Sequence, residues 1–336
     1  MVPDDHAQSH SPIVCLKLYE LHTRVRQSFF LPLSFPDVFP IDSNLPQYIP
    51  SLVGQIMRPL IPLERFRTFA DGLDHPEGLA FDADGTLWAG GELGQIYRID
   101  GRGRLREIAR LGGFNLGLTF SQTQELYVCN FKLSALVRLN RKGRVLESWE
   151  RVGNRKLKTP NFSVFDSEGN LYFSDSGDFD KVNGWVYRIR KNGRAEMFAG
   201  PFAFANGLSL SADGKFLYVV QSTRDNVERV EILSDGRAGK RQIYAIGLHR
   251  VPDGAALDAK GNLLVTCYAS DNLYKVTPAG KVSLLAYDPQ GTMIARPTNI
   301  AFGGPNFDQM YVANLGRWHI SSAPAGARGQ LLANQR

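Results

Sequence analysis

Residues Val251–Lys281 read VPDGAALDAKGNLLVTCYASDNLYKVTPAGK. A Pro-acid-Gly turn opens the stretch, and a short apolar run, Ala255 to Leu257, follows it. Asp258 and Lys260-Gly261 then make a turn, Asn262 to Tyr268 form a β-rich run, and Leu273 to Val276 form another before the turn at Thr277 to Gly280. Strand-sized runs separated by Gly, Asp and Asn at this spacing predict an antiparallel meander. One meander cannot bury both of its faces, so the fold depends on whether the pattern recurs.

It recurs from Phe66 onward. Aligned on the opening turn, the segments are His75-Pro76-Glu77-Gly78, Asn115-Leu116-Gly117, Thr159-Pro160-Asn161, Ala205-Asn206-Gly207, Val251-Pro252-Asp253-Gly254 and Pro297-Thr298-Asn299. The equivalent positions are Glu77, Leu116, Asn161, Asn206, Asp253 and Thr298, at steps of 39, 45, 45, 47 and 45 residues. A period near 45 with about four strands per step is the signature of a β-propeller blade. The expectation is an all-β, six-bladed β-propeller of four-stranded antiparallel blades. Only two further strands follow the sixth opening strand. Phe66 to Ala70, which resembles the fourth strands of later units, is therefore predicted to complete the last blade and remove its free edge.

Composition agrees. The chain has 33 glycines and 18 prolines in 336 residues, which suits a turn-rich β protein better than a helical one. Nine of the prolines fall in residues 1–62, where no unit repeats. That segment is expected to be a Pro-rich N-terminal arm lying on the main domain or a partner subunit, with residues 63–336 as the propeller. A short helix is drawn over Leu16–Val25. The arm also offers a route to a homo-oligomer.

The net charge of +6 invites a nucleic-acid reading. Yet the basic residues sit in short turns, such as Arg102-Gly103-Arg104 and Arg141-Lys142-Gly143-Arg144, where solvated hairpin tips explain them. No apolar run approaches the ~18 residues of a membrane span. The absence of a basic segment followed by an apolar core, with only three cysteines, leads to the expectation of a cytoplasmic protein.

In a propeller the opening strand of each blade lines the central channel, so the six aligned positions form a ring at one mouth. Packing alone would favour Val, Ala, Gly or Ser there, because buried charges and amides cost free energy without partners. Four of the six are Glu77, Asn161, Asn206 and Asp253. Taken singly, each would more often bond loop amides. Taken together at one phase of the repeat, two carboxylates and two amide oxygens form a hard-oxygen ligand set. Ca²⁺ is the ion expected first, with Mg²⁺, Mn²⁺ and Zn²⁺ behind it.

The motifs Pro76-Glu77-Gly78, Ala205-Asn206-Gly207-Leu208 and Pro252-Asp253-Gly254, with the closing Arg296-Pro297-Thr298-Asn299-Ile300-Ala301-Phe302, resemble the senescence-marker-protein, gluconolactonase and luciferin-regenerating-enzyme family. The resemblance covers about residues 66–320. It implies a metal-dependent hydrolase, usually a lactonase, with Glu77, Asn206 and Asp253 on the divalent ion and Asn161 nearby. The chain departs from that pattern at Asn161-Phe162-Ser163, where the family often has Asn-Asp-Gly. It departs again at Gln221-Ser222, where an acidic residue is common.

The expected reaction is hydrolysis of a small lactone or related ester. The ion polarises the carbonyl, and Asp253 accepts the proton of the attacking water. Phe114, Phe162, Phe202, Phe204 and Tyr268 lie near the opening turns and suggest an apolar wall for the substrate. His75 and His249 are read as surface donors. The Pro-Glu-Gly opening also resembles strictosidine-synthase-like propellers, described as metal-independent, and a non-catalytic propeller that binds a protein partner is the third reading. No Gly-Xaa-Ser-Xaa-Gly elbow supports a serine hydrolase.

Overall fold

The computed structural model describes residues 58–336. The arm expected over residues 1–62 therefore lies outside the described residues except for its last five, as does the helix drawn over Leu16–Val25. Two short 3₁₀ turns, Leu63–Arg65 and Ala333–Gln335, are the only helical elements among the described residues. No helix described is long and apolar enough to cross a membrane.

Strand β1 (Arg67–Asp71) precedes the first full blade, made of β2 (Leu79–Phe81), β3 (Leu87–Gly90), β4 (Gln95–Ile99) and β5 (Leu105–Arg110). The second blade is β6 (Asn115–Phe120), β7 (Leu126–Asn130), β8 (Ala135–Leu139) and β9 (Val145–Trp149). A two-stranded hairpin, β10 (Arg151–Val152) with β11 (Arg155–Lys156), interrupts the passage to the third blade. That blade is β12 (Pro160–Phe165), β13 (Leu171–Asp175), β14 (Val182–Ile189) and β15 (Ala195–Ala203). The fourth is β16 (Ala205–Leu210), β17 (Phe216–Gln221), β18 (Asn226–Ile232) and β19 (Ala238–Ile246). The fifth is β20 (Pro252–Leu257), β21 (Leu263–Cys267), β22 (Asn272–Val276) and β23 (Val282–Tyr287). The sixth has β24 (Pro297–Gly303), β25 (Gln309–Asn314) and β26 (His319–Pro324), with β1 as its outer strand.

The ring is thus closed as expected: β1 pairs antiparallel with β26, Arg67 opposite Ser322 and Asp71 opposite His319. The chain ahead of it also joins an edge, since Leu60 N and Ile61 N donate to Leu284 O and Leu285 O of β23 at 3.1 and 2.8 Å.

Local chemistry sets the hairpins. In the β20–β21 turn, Asp258 Oδ1 accepts from Lys260 N and Asn262 N at 2.9 and 2.8 Å, and Gly261 takes φ 77°. An Asx acceptor followed by a residue free to be left-handed is what such a turn requires. The same bracket recurs at Asp82, where the buried carboxylate also receives Trp88 Nε1 at 2.9 Å. The basic tips Arg102, Arg104, Lys142, Arg144, Lys191 and Arg194 are all exposed, as a solvated reading requires.

The core consists of blade-to-blade interfaces. Val220, Val227 and Ala245 of the fourth blade meet Leu257, Leu263, Val265 and Val276 of the fifth, for example. Ala70, Ile320 and Tyr311 meet Leu79, Phe81 and Leu87 across the closing seam. Two of the three cysteines, Cys129 and Cys267, are buried free thiols, and burial pushes both up in pKa.

Candidate metal and active site

Five of the six blades carry a backbone irregularity at the ring residue. Register slips occur at Asn115/Leu118, Pro160/Ser163, Ala205/Leu208, Pro252/Ala255 and Pro297/Asn299, all spanning the ring position. In the first blade, β2 begins only at Leu79, two residues after Glu77. A bulge re-aims one side chain out of the ladder, and bulges gather beside functional sites. Two residues upstream the backbone is left-handed at His75 (φ 41°), Phe204 (55°), Val251 (56°) and Arg296 (49°). For the β-branched Val251 this costs conformational free energy, so the entry turn is held there by its surroundings.

Neighbouring ring positions touch. A Cβ on Gly207 would collide with the carbonyl oxygen of Asp253, and Gly78, Gly117 and Gly254 stand the same way against Leu116, Asn161 and Thr298. Where glycine is missing, a hydroxyl joins the blades instead. Ser174 Oγ donates to Asn206 O at 2.8 Å, and Thr298 Oγ1 donates to Glu77 O at 2.9 Å. All six blade junctions are therefore drawn tight at this level.

Into that ring the structure brings all four residues expected to act. Glu77, Asn161, Asn206 and Asp253 are 5, 4, 2 and 8% exposed. Glu77 Oε2, Asn161 Oδ1, Asn206 Oδ1 and Asp253 Oδ1 are each buried without a hydrogen-bond partner. Burial, and secondarily the charge of Asp253, hold the Glu77 carboxyl well above its usual range. Burial likewise raises Asp253, against a hydrogen bond from the Asn206 side chain that lowers it. The remaining two positions, Leu116 and Thr298, contribute an apolar group and a hydroxyl already committed to Glu77 O.

Buried polar atoms in folded proteins are almost always bonded, and each orphan costs about 1–3 kcal/mol. Four orphaned oxygens on four blades, two of them on carboxyls whose pKa burial raises, fit a hard divalent cation: oxygen donors, no soft ligand, formal charge near −2.

A second acidic group lies on the first blade, where His75 Nδ1 sits 3.1 Å from Asp74 Oδ1 and 3.2 Å from Glu92 Oε2. Here the oxygens are already used. Asp74 Oδ2 accepts from Leu93 N at 3.1 Å and Gln95 Nε2 at 2.9 Å, and Trp318 packs against the imidazole at a tilt, with centroids 5.6 Å apart. The sequence pattern does not single out Asp74 or Glu92, since neither occupies the repeat phase that marks the ring.

The aromatic wall is only partly where the sequence reading puts it. Half-buried Phe204 meets Phe179 edge-on at 5.0 Å beside the entry to β16. Tyr268 is half-buried under the Arg296 guanidinium, 5.4 Å from its ring centroid, and burial, aided by the charge of Asp253, raises its pKa. Phe202 instead lies fully buried between the third and fourth blades beneath Arg241, 4.0 Å away. Phe114 is buried with Leu116 and Tyr127 between the second and third.

Comparison with known proteins follows the same lines. The lactonase drp35 of Staphylococcus saprophyticus is 27% identical over 292 residues, 75% of this chain and 84% of that protein. Human regucalcin is 27% identical over 137 residues, 40% of this chain and 44% of its own length. A solved gluconolactonase from Xanthomonas campestris superposes with TM-score 0.68 at 20% identity, covering 77% of this chain and 89% of that one. Luciferin-regenerating enzyme does so with TM-score 0.67 at 18% identity over 80% and 98%. Residues 63–99 match the N-terminal profile of strictosidine-synthase-like proteins. Residues 114–315, more than half of the chain, match the SMP-30/gluconolactonase/LRE-like region, and the chain belongs to that family.

Proposed function

We propose that the protein is a divalent-metal-dependent hydrolase of lactones or related esters, with Ca²⁺ the first-choice ion. The observation that carries this reading is the set of four orphaned buried oxygens on Glu77, Asn161, Asn206 and Asp253. The lactonases and gluconolactonases among its relatives supply the reaction class. Those four side chains would hold the cation, which supplies Lewis-acid polarisation of a carbonyl oxygen.

The chain's own residues do the rest. Asp253 keeps a buried carboxylate oxygen that no hydrogen-bond donor occupies. It can accept the proton of an attacking water, a contribution of about 10² to 10⁴ in rate. Phe204 and Phe179 form an apolar face beside the ring that takes the non-polar side of the lactone and keeps bulk water off it.

The match of residues 63–99, which contain Glu77, to strictosidine-synthase-like proteins favours one rival: carboxylate chemistry without a metal. Hydrolysis of a panel of neutral lactones and aryl esters, with and without EDTA, separates the two. Loss of turnover in EDTA and recovery on adding Ca²⁺ supports the proposal. Turnover indifferent to EDTA selects the rival, and no turnover on any lactone or ester removes both.

A further inference from the structure

The Asn206 amide has an oxygen end and a nitrogen end, and only the oxygen end is a cation ligand. What decides which end meets the axis is a hydroxyl on the same blade. Ser222 follows the last residue of β17 and is 1% exposed. Its Oγ lies 2.7 Å from Pro252 O and 3.2 Å from Asn206 Nδ2. A backbone carbonyl can only accept, so the single hydroxyl proton goes to Pro252 O. That leaves Ser222 Oγ facing Asn206 with a lone pair, which only an N–H can satisfy. The amide nitrogen must therefore point at Ser222, and Oδ1 must point away from it, where it has no partner. A flipped amide would set its oxygen against the Ser222 lone pair.

The device is built into the repeat. Ser176 occupies the corresponding place one blade earlier, directly after β13, and donates to Ala205 O at 2.7 Å. The neighbouring Gln221 does not substitute for Ser222, since it is turned to Ala203 N, Asn226 and Glu228.

We propose that Ser222 is a positioning residue for the metal ring: its hydroxyl locks the Asn206 amide with Oδ1 toward the axis and thereby sets the affinity for a divalent cation. This rests on the metal-site reading above. The test is Ca²⁺ binding by titration calorimetry on the chelator-stripped full-length protein, as wild type, Ser222→Ala, Ser222→Thr and Asn206→Asp, and as the Asn206→Asp/Ser222→Ala double variant. Ser222→Ala is expected to weaken binding by about 10- to 100-fold, the usual cost of losing a group that orients a ligand. Ser222→Thr, which keeps the hydroxyl, restores it.

With Asp at 206 both ends are oxygen, orientation ceases to matter, and the Ser222→Ala penalty largely disappears. A merely structural hydroxyl would weaken both backgrounds equally. Should Ser222→Ala fail to fold, Ser222→Cys, a weak donor and acceptor of similar size, is expected to bind with intermediate affinity. Wild-type affinity in Ser222→Ala or Ser222→Cys, or an equal penalty in the Asn206→Asp background, overturns the assignment of Ser222 alone. A wild-type isotherm without binding overturns the metal site itself.

Discussion

The two ends of the central channel are built from the same six inner strands and are treated in opposite ways. At the mouth above the bulges, polar side chains converge and their oxygens are left unbonded. At the other end the strands continue as Leu79, Leu118, Leu208 and Ile300 and enclose a cavity of about 100 Å³, and the C-terminal tail lies across it. There the backbone is satisfied. Asn334 Nδ2 donates to Phe81 O at 2.9 Å, Gln330 Nε2 to Leu210 O at 2.9 Å, and Gln330 N to Leu257 O at 2.9 Å. Gln124 Nε2 reaches back to Asn334 O at 3.0 Å. One chain segment thus braces the first, second, fourth and fifth blades. A channel end with no task beyond stability has been plugged and bonded. The end that keeps orphaned oxygens carries a stability cost.

The two ends must therefore respond oppositely to mutation. The largest effect is expected at the ring. Asp253→Asn removes the proton acceptor and one carboxylate ligand, so turnover should fall by at least about 10²-fold. The same change relieves an uncompensated buried charge, so in EDTA the variant should melt at or above the wild-type temperature. Steady-state rates and thermal unfolding measure the two halves; full activity removes Asp253 from its role, and a much lower melting point makes it a structural residue. Next is the plug. Deleting residues 330–336 exposes the carbonyls of Phe81, Leu210 and Leu257 and should cost roughly 2 kcal/mol, or a fall of about 4–8 °C in Tm. Turnover on a small lactone should stay within about threefold, because no tail residue reaches the ring; a collapse in turnover would show that the two ends are not independent.

The blades are legible because each repeats a hydrophobic pattern every 45 or so residues, and the ring is legible because polar residues fall at one phase of that repeat. Closure by Phe66 to Ala70 is legible for the same reason, and β1 occupies Arg67–Asp71. What escapes the sequence lies outside the period. Bulges are a matter of backbone register, which residue types at the ring do not encode. The tail, Leu331-Leu332-Ala333-Asn334, belongs to no unit, and its polar groups matter only through carbonyls more than 100 residues away. Phe202 sits next to the entry loop of the fourth blade in sequence, but β15 runs on to Ala203 and turns the ring inward between blades. Ser222 reads in the sequence as the loss of a charge, whereas in the fold it is a donor to Pro252 O and an acceptor from Asn206.

The smallest predicted effect is the sharpest probe of the contrast, because it reads the ring's charge directly. Burial raises Glu77 and Asp253 above their ordinary values of 4.5 and 3.8 in the folded, metal-free chain. Between those values and the raised ones the folded chain binds more protons than the unfolded chain. Stability therefore falls as pH rises, by about 1.4 kcal/mol per pH unit for each extra proton the fold holds. His319 behaves oppositely. Buried at the closing seam with its pKa lowered by burial, it makes the fold less stable as pH drops below its ordinary 6.5. The two contributions overlap, so a wild-type melting curve alone is ambiguous. The difference between wild type and Asp253→Asn cancels His319 and isolates Asp253 together with its coupling to Glu77. In EDTA the wild type should lose ground to the variant as pH climbs above the ordinary carboxylate range. In Ca²⁺ that trend should shrink, since a bound cation would stabilise the ionised carboxylates. A difference that is flat in EDTA would mean that the two carboxylates are not held together in a dry ring, and the contrast between the channel's ends would then be one of shape alone.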